Sequence, residues 1–152
     1  MDSINPYLYM IEEEFREVSE FIKTLRNYNP PIADVDESTT ILNALNLAVV
    51  ISYMRNFTEN QNFENIQEIK VKLIQEFGDK ERKMHKKIGY LRKKEYAHSD
   101  SSAYDFQIET EGLFSHSVRP MREPLDDDEF KMLSLMVRKI RTQIYALKNC
   151  SE

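Results

Sequence analysis

Residues that break or bend a backbone are scarce in this chain. Three glycines and five prolines among 152 residues are too few for an all-β fold with its many turns, or for a glycine-rich loop that cradles phosphates. The single cysteine, Cys150, excludes an intrachain disulfide and a cysteine-built zinc site, so a reducing compartment is expected. No run approaches the roughly 20 apolar residues that span a bilayer, and Met1, Asp2 and Ser3 do not open a basic and then apolar leader. A cytoplasmic protein without membrane contact is the expectation. The chain also lacks a Gly-x-Ser-x-Gly turn, a phosphate loop, a His-Glu-x-x-His pair and a dinucleotide fingerprint.

What is present points to one all-α domain over residues 1–152. Hydrophobic residues make up 41% and charged residues 31%, a balance that fits a helix-rich globule. Asn5 and Pro6 make a good helix start. Leu8, Ile11, Phe15, Val18, Ile22 and Leu25 then recur at spacings of three and four, until Asn29, Pro30 and Pro31 end the helix. A second helix, from near Asp36 to about Phe57, is apolar on nearly all sides and reads as the central buried one. Ile66, Ile69, Leu73, Ile74 and Phe77 carry a third, which Gly78 would end in a left-handed cap. Met84, Ile88 and Leu91 continue the helical spacing to about Ala97. Tyr104, Phe106 and Ile108 alternate with polar residues and suggest a short hairpin or ordered loop. Asp126 with Glu129 resembles a capping box ahead of Phe130, Leu133, Val137, Ile140, Ile144 and Leu147. The expected architecture is an antiparallel bundle of four to five helices with an irregular or short hairpin insertion before the last.

Charge is unevenly spread. Between Lys80 and Lys94 stand eight basic residues against the single acid Glu81, a local +7 in a chain of net charge −5, which leaves −12 for the remainder. Such asymmetry is either a footprint for a polyanion or a solvated helix face balanced by acidic neighbours. The histidines, His85, His98 and His116, are too widely spaced to build a metal site together.

The run Leu91-Arg92-Lys93-Lys94-Glu95-Tyr96-Ala97-His98-Ser99-Asp100, with His85 two turns before Arg92, is the most informative in the chain. An arginine followed after five residues by a histidine at a helix end resembles the R-x(4-6)-H motif of the HEPN superfamily. It is closer still to abortive-infection-type HEPN proteins, whose helix reads approximately H-(six)-R-N-K-(two or three)-A-H-S-D. His85, Arg92, Lys94, Ala97, His98, Ser99 and Asp100 fall on that pattern, and Tyr53-Met54-Arg55-Asn56-Phe57 closes an earlier helix in keeping with it.

The resemblance implies a metal-independent, cofactor-free endoribonuclease acting as a homodimer, in phage defence or as a toxin with an antitoxin partner. RNA brings its own 2′-hydroxyl nucleophile, so the protein need only move protons and stabilise charge. His98 would be general acid or base, and Arg92 would hold the phosphate through paired N–H donors. Asp100 would orient His98, and His85 would be a second proton-transfer or phosphate group. Lys83, Lys86, Lys87, Lys93 and Lys94 would hold the RNA backbone. Two positions depart from the family: Lys93 follows the arginine where active members carry Asn or Asp, and Asp100 stands where nucleotidyltransferase-modified members carry tyrosine. Two other readings stand beside catalysis: a non-catalytic HEPN-like RNA- or protein-binding module, and an Arg and His that only cap the last carbonyls of their helix.

Overall fold

The computed structural model describes residues 6–28, 35–58, 65–93, 107–111, 114–118 and 124–149. Five helices and one two-stranded ribbon follow in the order α1 (Pro6–Asn27), α2 (Val35–Arg55), α3 (Ile66–Leu73), α4 (Asp79–Leu91), β1 (Gln107–Glu111), β2 (Phe114–Val118) and α5 (Asp127–Asn149). This is an all-α bundle with a hairpin inserted before the last helix. No helix among the described residues is long and apolar enough to cross a membrane.

Local sequence accounts for most of the boundaries. Pro6 occupies the first position of α1, where its missing N–H costs nothing. At α5 the capping box is reciprocal: Asp126 Oδ1 accepts from the Glu129 N–H at 2.8 Å, and Glu129 Oε2 accepts from the Asp126 N–H at 3.2 Å. Gly78 behaves differently from its sequence reading. Its φ of −75° and ψ of 177° are extended, not left-handed, and it opens α4 by donating its N–H to Glu81 Oε2 at 2.8 Å. The left-handed residue is Asn65, ahead of α3, with φ 59°.

The helices pack antiparallel through their apolar stripes. Ion pairs Glu12–Lys148 and Arg26–Asp127 fix α1 against α5 at both ends, and Glu81–Lys139 with Lys87–Glu129 do the same for α4 and α5. Leu8, Ile11, Phe15, Val18 and Ile22 of α1 meet Phe130, Leu133, Val137, Ile140 and Ile144 of α5 in one buried cluster, with Met84, Ile88 and Leu91 of α4. Burial of each such side chain contributes roughly 1.5–3 kcal/mol. Leu25 and Leu147, at the ends of their stripes, are only partly buried.

The second helix is less enclosed than its composition predicts. Val49, Val50, Tyr53 and Met54 are buried, but Ile41, Leu42, Leu45, Leu47 and Ala48 are half-exposed. Helices α1 and α4 pack on the flank that carries Tyr53 and Met54, and a helix apolar all round needs neighbours all round to be buried. In the ribbon, β1 pairs antiparallel with β2 from Gln107↔Val118 to Glu111↔Phe114, with His116 opposite Glu109.

Candidate functional site

The predicted site centres on α4, and helix geometry divides its residues into three sets. At about 100° per residue, Met84, Ile88 and Leu91 form the buried stripe. Lys83, Lys86, Tyr90 and Lys93, spaced three, four and three, form one exposed line on the far side. His85 and Arg92, seven residues apart, share a flank beside the core stripe, roughly 130° from the lysine line. The sequence places all these groups in one short segment, but the helix turns the lysines away from the arginine and histidine.

His85 is drawn inward. Its Nδ1 shares a hydrogen bond of 2.9 Å with the Tyr53 hydroxyl. Phe57 stands edge-on to the imidazole with centroids 4.7 Å apart, and Phe77 and Tyr53 lie at 6.2 and 5.8 Å. Burial in this aromatic nest lowers the His85 pKa and favours the neutral ring. The same burial, with the Glu81 charge adding to it, raises that of Tyr53, so its hydroxyl keeps its proton. The arrangement suits a neutral donor or acceptor and opposes an imidazolium that would bind phosphate.

Arg92 and Lys93 continue α4 in a wider, π-type turn, a distortion often found at functional positions. Arg92 is half-buried and makes no ion pair with any described residue. Lys83, Lys86 and Lys93 are exposed and likewise unpaired among the described residues. Two members of the basic run are already engaged. Lys87 pairs with Glu129, and Arg82 donates to the carbonyls of Phe77 at 2.9 Å and Gln75 at 3.3 Å, satisfying backbone acceptors at the α3–α4 junction. Lys94, His98 and Asp100 lie outside the described residues. Part of the basic run is thus structural, and the part that faces solvent is the lysine line.

A polar cluster that the sequence does not reveal lies where α1 crosses the end of α2. Tyr7 donates to the Asn56 carbonyl at 3.1 Å across 49 residues of chain. Burial, with the nearby Glu14 charge adding to it, pushes its pKa up to about 12. Glu14 Oε2 and Asn56 Oδ1 are buried acceptors without a hydrogen-bond partner. Burial also raises the Glu14 carboxyl, against the opposing pull of Arg55, whose Nη1 stands 4.0 Å from Glu14 Oε1. Arg55, half of whose side chain is exposed, therefore has the acidic partner that a guanidinium beside a buried segment calls for.

Among the described residues no cluster of three His, Cys, Asp or Glu side chains is arranged to hold a metal ion. Comparison of the chain with protein-family models, with curated proteins and with solved structures finds no match in any of the three.

Proposed function

We propose that the chain is a HEPN-like protein that binds RNA and cleaves it without a metal or cofactor, acting as a homodimer in a phage-defence or toxin–antitoxin setting. The observation that carries this reading is Arg92: a half-buried guanidinium at the end of a rigid helix, with no anion beside it among the described residues. A desolvated, unpaired charge calls for a partner, and a phosphodiester matches its forked donors. In the proposed step His98 accepts the proton of the 2′-hydroxyl as its oxygen attacks the adjacent phosphorus. The bond from phosphorus to the 5′-oxygen breaks, and that oxygen takes a proton from an acid in the cleft. The products are a 2′,3′-cyclic phosphate and a 5′-hydroxyl, with Arg92 neutralising the charge that builds on the phosphoryl oxygens.

The half-exposed apolar residues Ile41, Leu42 and Leu45 of α2 supply a surface for the second copy, since association covers apolar area left open in one chain. Sedimentation at micromolar concentration is expected to give twice 18.1 kDa; a monomer would remove the composite cleft. The cleavage test is incubation of the purified protein with mixed RNAs at neutral pH in chelator. Wild type is expected to cleave, and His98→Ala and Arg92→Ala are expected to lose cleavage, the former keeping most of its RNA affinity. Intact RNA in the wild-type reaction overturns the enzymatic reading.

A second reading, an RNA-binding module without turnover, is favoured by the separation of the lysine line from the flank of Arg92. Salt-dependent binding without cleavage, weakened when Lys83, Lys86 and Lys93 are neutralised, would establish it.

A further inference from the structure

A cavity lies away from α4, between α1 and α5. It is an open groove of about 740 Å³ whose walls carry four cations, Lys23 and Arg26 from α1 and Arg138 and Arg141 from α5, with Tyr145 among the lining residues and Glu12 the sole acid. On α5 the residues Ser134, Arg138, Arg141 and Tyr145 recur at spacings of four, three and four, so they form one straight line about 16 Å long. Lys139 and Gln143, which bond to Glu81 and Gln75 on the side of α3 and α4, lie on the opposite flank of the helix. The groove is therefore distinct from the site built on α4.

Its charge is largely uncompensated. Glu12 is neutralised by Lys148, and Arg26 donates from Nε to Asp127 at 3.1 Å. Lys23 has only Glu20 at 3.9 Å. Arg138 and Arg141 are exposed and make no ion pair among the described residues. Three cations thus converge on one trough in a chain whose net charge is −5. The Tyr145 side chain stands 66% exposed, a large aromatic surface left to solvent beside the arginines.

We infer that this groove binds the phosphate backbone of a single-stranded nucleic acid, with Lys23, Arg138 and Arg141 on successive phosphates and a base stacked on Tyr145. The shape selects the ligand class. Small-molecule sites enclose most of their ligand and are mainly apolar, whereas this trough is open along its length and lined by cations. A basic track with an aromatic platform is the combination that holds an unpaired strand, whose bases are free to stack. A duplex, with its bases already stacked, would leave the tyrosine unused.

The test uses the full chain and a short fluorescent oligothymidylate. That probe has no 2′-hydroxyl, so binding is read apart from any RNA cleavage, and failure of the enzymatic reading does not affect the result. Arg138→Gln with Arg141→Gln, both at exposed positions, is expected to weaken binding about tenfold at low salt and to flatten the plot of log affinity against log salt by about 1.4, or roughly 0.7 for each lost phosphate contact. Tyr145→Ala is expected to cost about fivefold, and Tyr145→Phe to bind as wild type, because stacking needs the ring and not the hydroxyl. The inference is overturned if the double variant binds as wild type, if Tyr145→Ala is neutral, or if inorganic triphosphate displaces the strand at micromolar concentration, which would mark a pocket for small anions.

Discussion

The Tyr53 hydroxyl and His85 Nδ1 lie 2.9 Å apart inside a ring of Phe57 and Phe77, and they join α2 to α4 at the depth where the proposed site begins. The pair explains how a histidine on a strongly basic helix faces inward: an aromatic nest covers its ring, and a buried hydroxyl satisfies its polar edge. Tyr53→Phe keeps the packing and removes the hydrogen bond. It is expected to lower stability by about 1 kcal/mol in urea denaturation, and a change well below this would show that the bond contributes little to holding α4.

The same residue gives stability a pH dependence of known sign. Because burial lowers the folded-state pKa of His85, the unfolded chain binds more protons than the folded one in the window below the ordinary imidazole value of about 6.5. The contribution is fully present above that value, falls as pH drops through it, and levels off below the folded pKa. Glu14, whose folded pKa is raised by burial, acts with the opposite sign as its carboxyl takes up a proton at lower pH. Thermal melts of wild type and His85→Gln between neutrality and mild acid separate the two. The variant is expected to lose the decline that sets in below about pH 6.5 and to keep the rest.

Glu81 both caps the start of α4 and ties that helix to α5. Its carboxylate accepts the Gly78 N–H at 2.8 Å and pairs with Lys139 at 2.7 Å. Partial burial pushes its pKa up, but the bonds from Lys139 and Gly78 outweigh this and hold it below the usual glutamate value. Glu81→Gln is expected to cost about 1–2 kcal/mol, the sum of a weakened cap and a lost charged hydrogen bond. For a lowered carboxylate the stabilisation is complete above the unfolded-state pKa and disappears as pH falls through the folded one. The gap between variant and wild type in urea should therefore close at acid pH.

The apolar stripes of α1 and α5 were legible because three-and-four spacing reports which face of a helix is buried, and the Asp126–Glu129 cap because both partners lie within one turn. Gly78 shows the limit of composition: a glycine between two helices can end the first or begin the second, and only its φ decides. The apolar excess of α2 predicted complete burial, but a helix is covered only where neighbours reach it. The basic run was read as one feature, whereas Arg82 caps carbonyls, Lys87 pairs with Glu129, and the free lysines face away from Arg92. Counting 100° per residue along α4 separates the lysine line from Arg92 without any coordinates. The Tyr7–Asn56–Glu14 cluster and the groove between α1 and α5 join residues far apart in the chain, and no local pattern announces them.

The lysine line of α4 makes a prediction that does not depend on cleavage. Lys83, Lys86 and Lys93 are exposed and unpaired among the described residues, with Tyr90, 59% exposed, between them. If all three meet phosphates of a single-stranded RNA, replacing them by glutamine removes about 0.7 from the salt slope for each, or about 2 in total. Fluorescence anisotropy over a salt series measures this directly, and an unchanged slope would exclude the line from the interface. Lys87 serves as the internal control: its ammonium is already held by Glu129, so Lys87→Gln should reduce stability more than it reduces the slope.

Gly89 tests the packing of α4 against α2. A methyl group there would meet the Met54 Cε at 3.3 Å, the mobile end of a flexible side chain, which can withdraw by a few tenths of an ångström. Glycine within a helix is about 1 kcal/mol less favourable than alanine, so Gly89→Ala is expected to stabilise the protein by about 0.5–1 kcal/mol after the methionine adjusts. For a chain of this size that corresponds to a rise in Tm of roughly 1–4 °C. A fall in Tm would mean that Met54 cannot move, and that α2 and α4 are held in tighter register than a single thioether contact requires. The same variant should leave RNA affinity unchanged, because Gly89 faces α2 and not the lysine line.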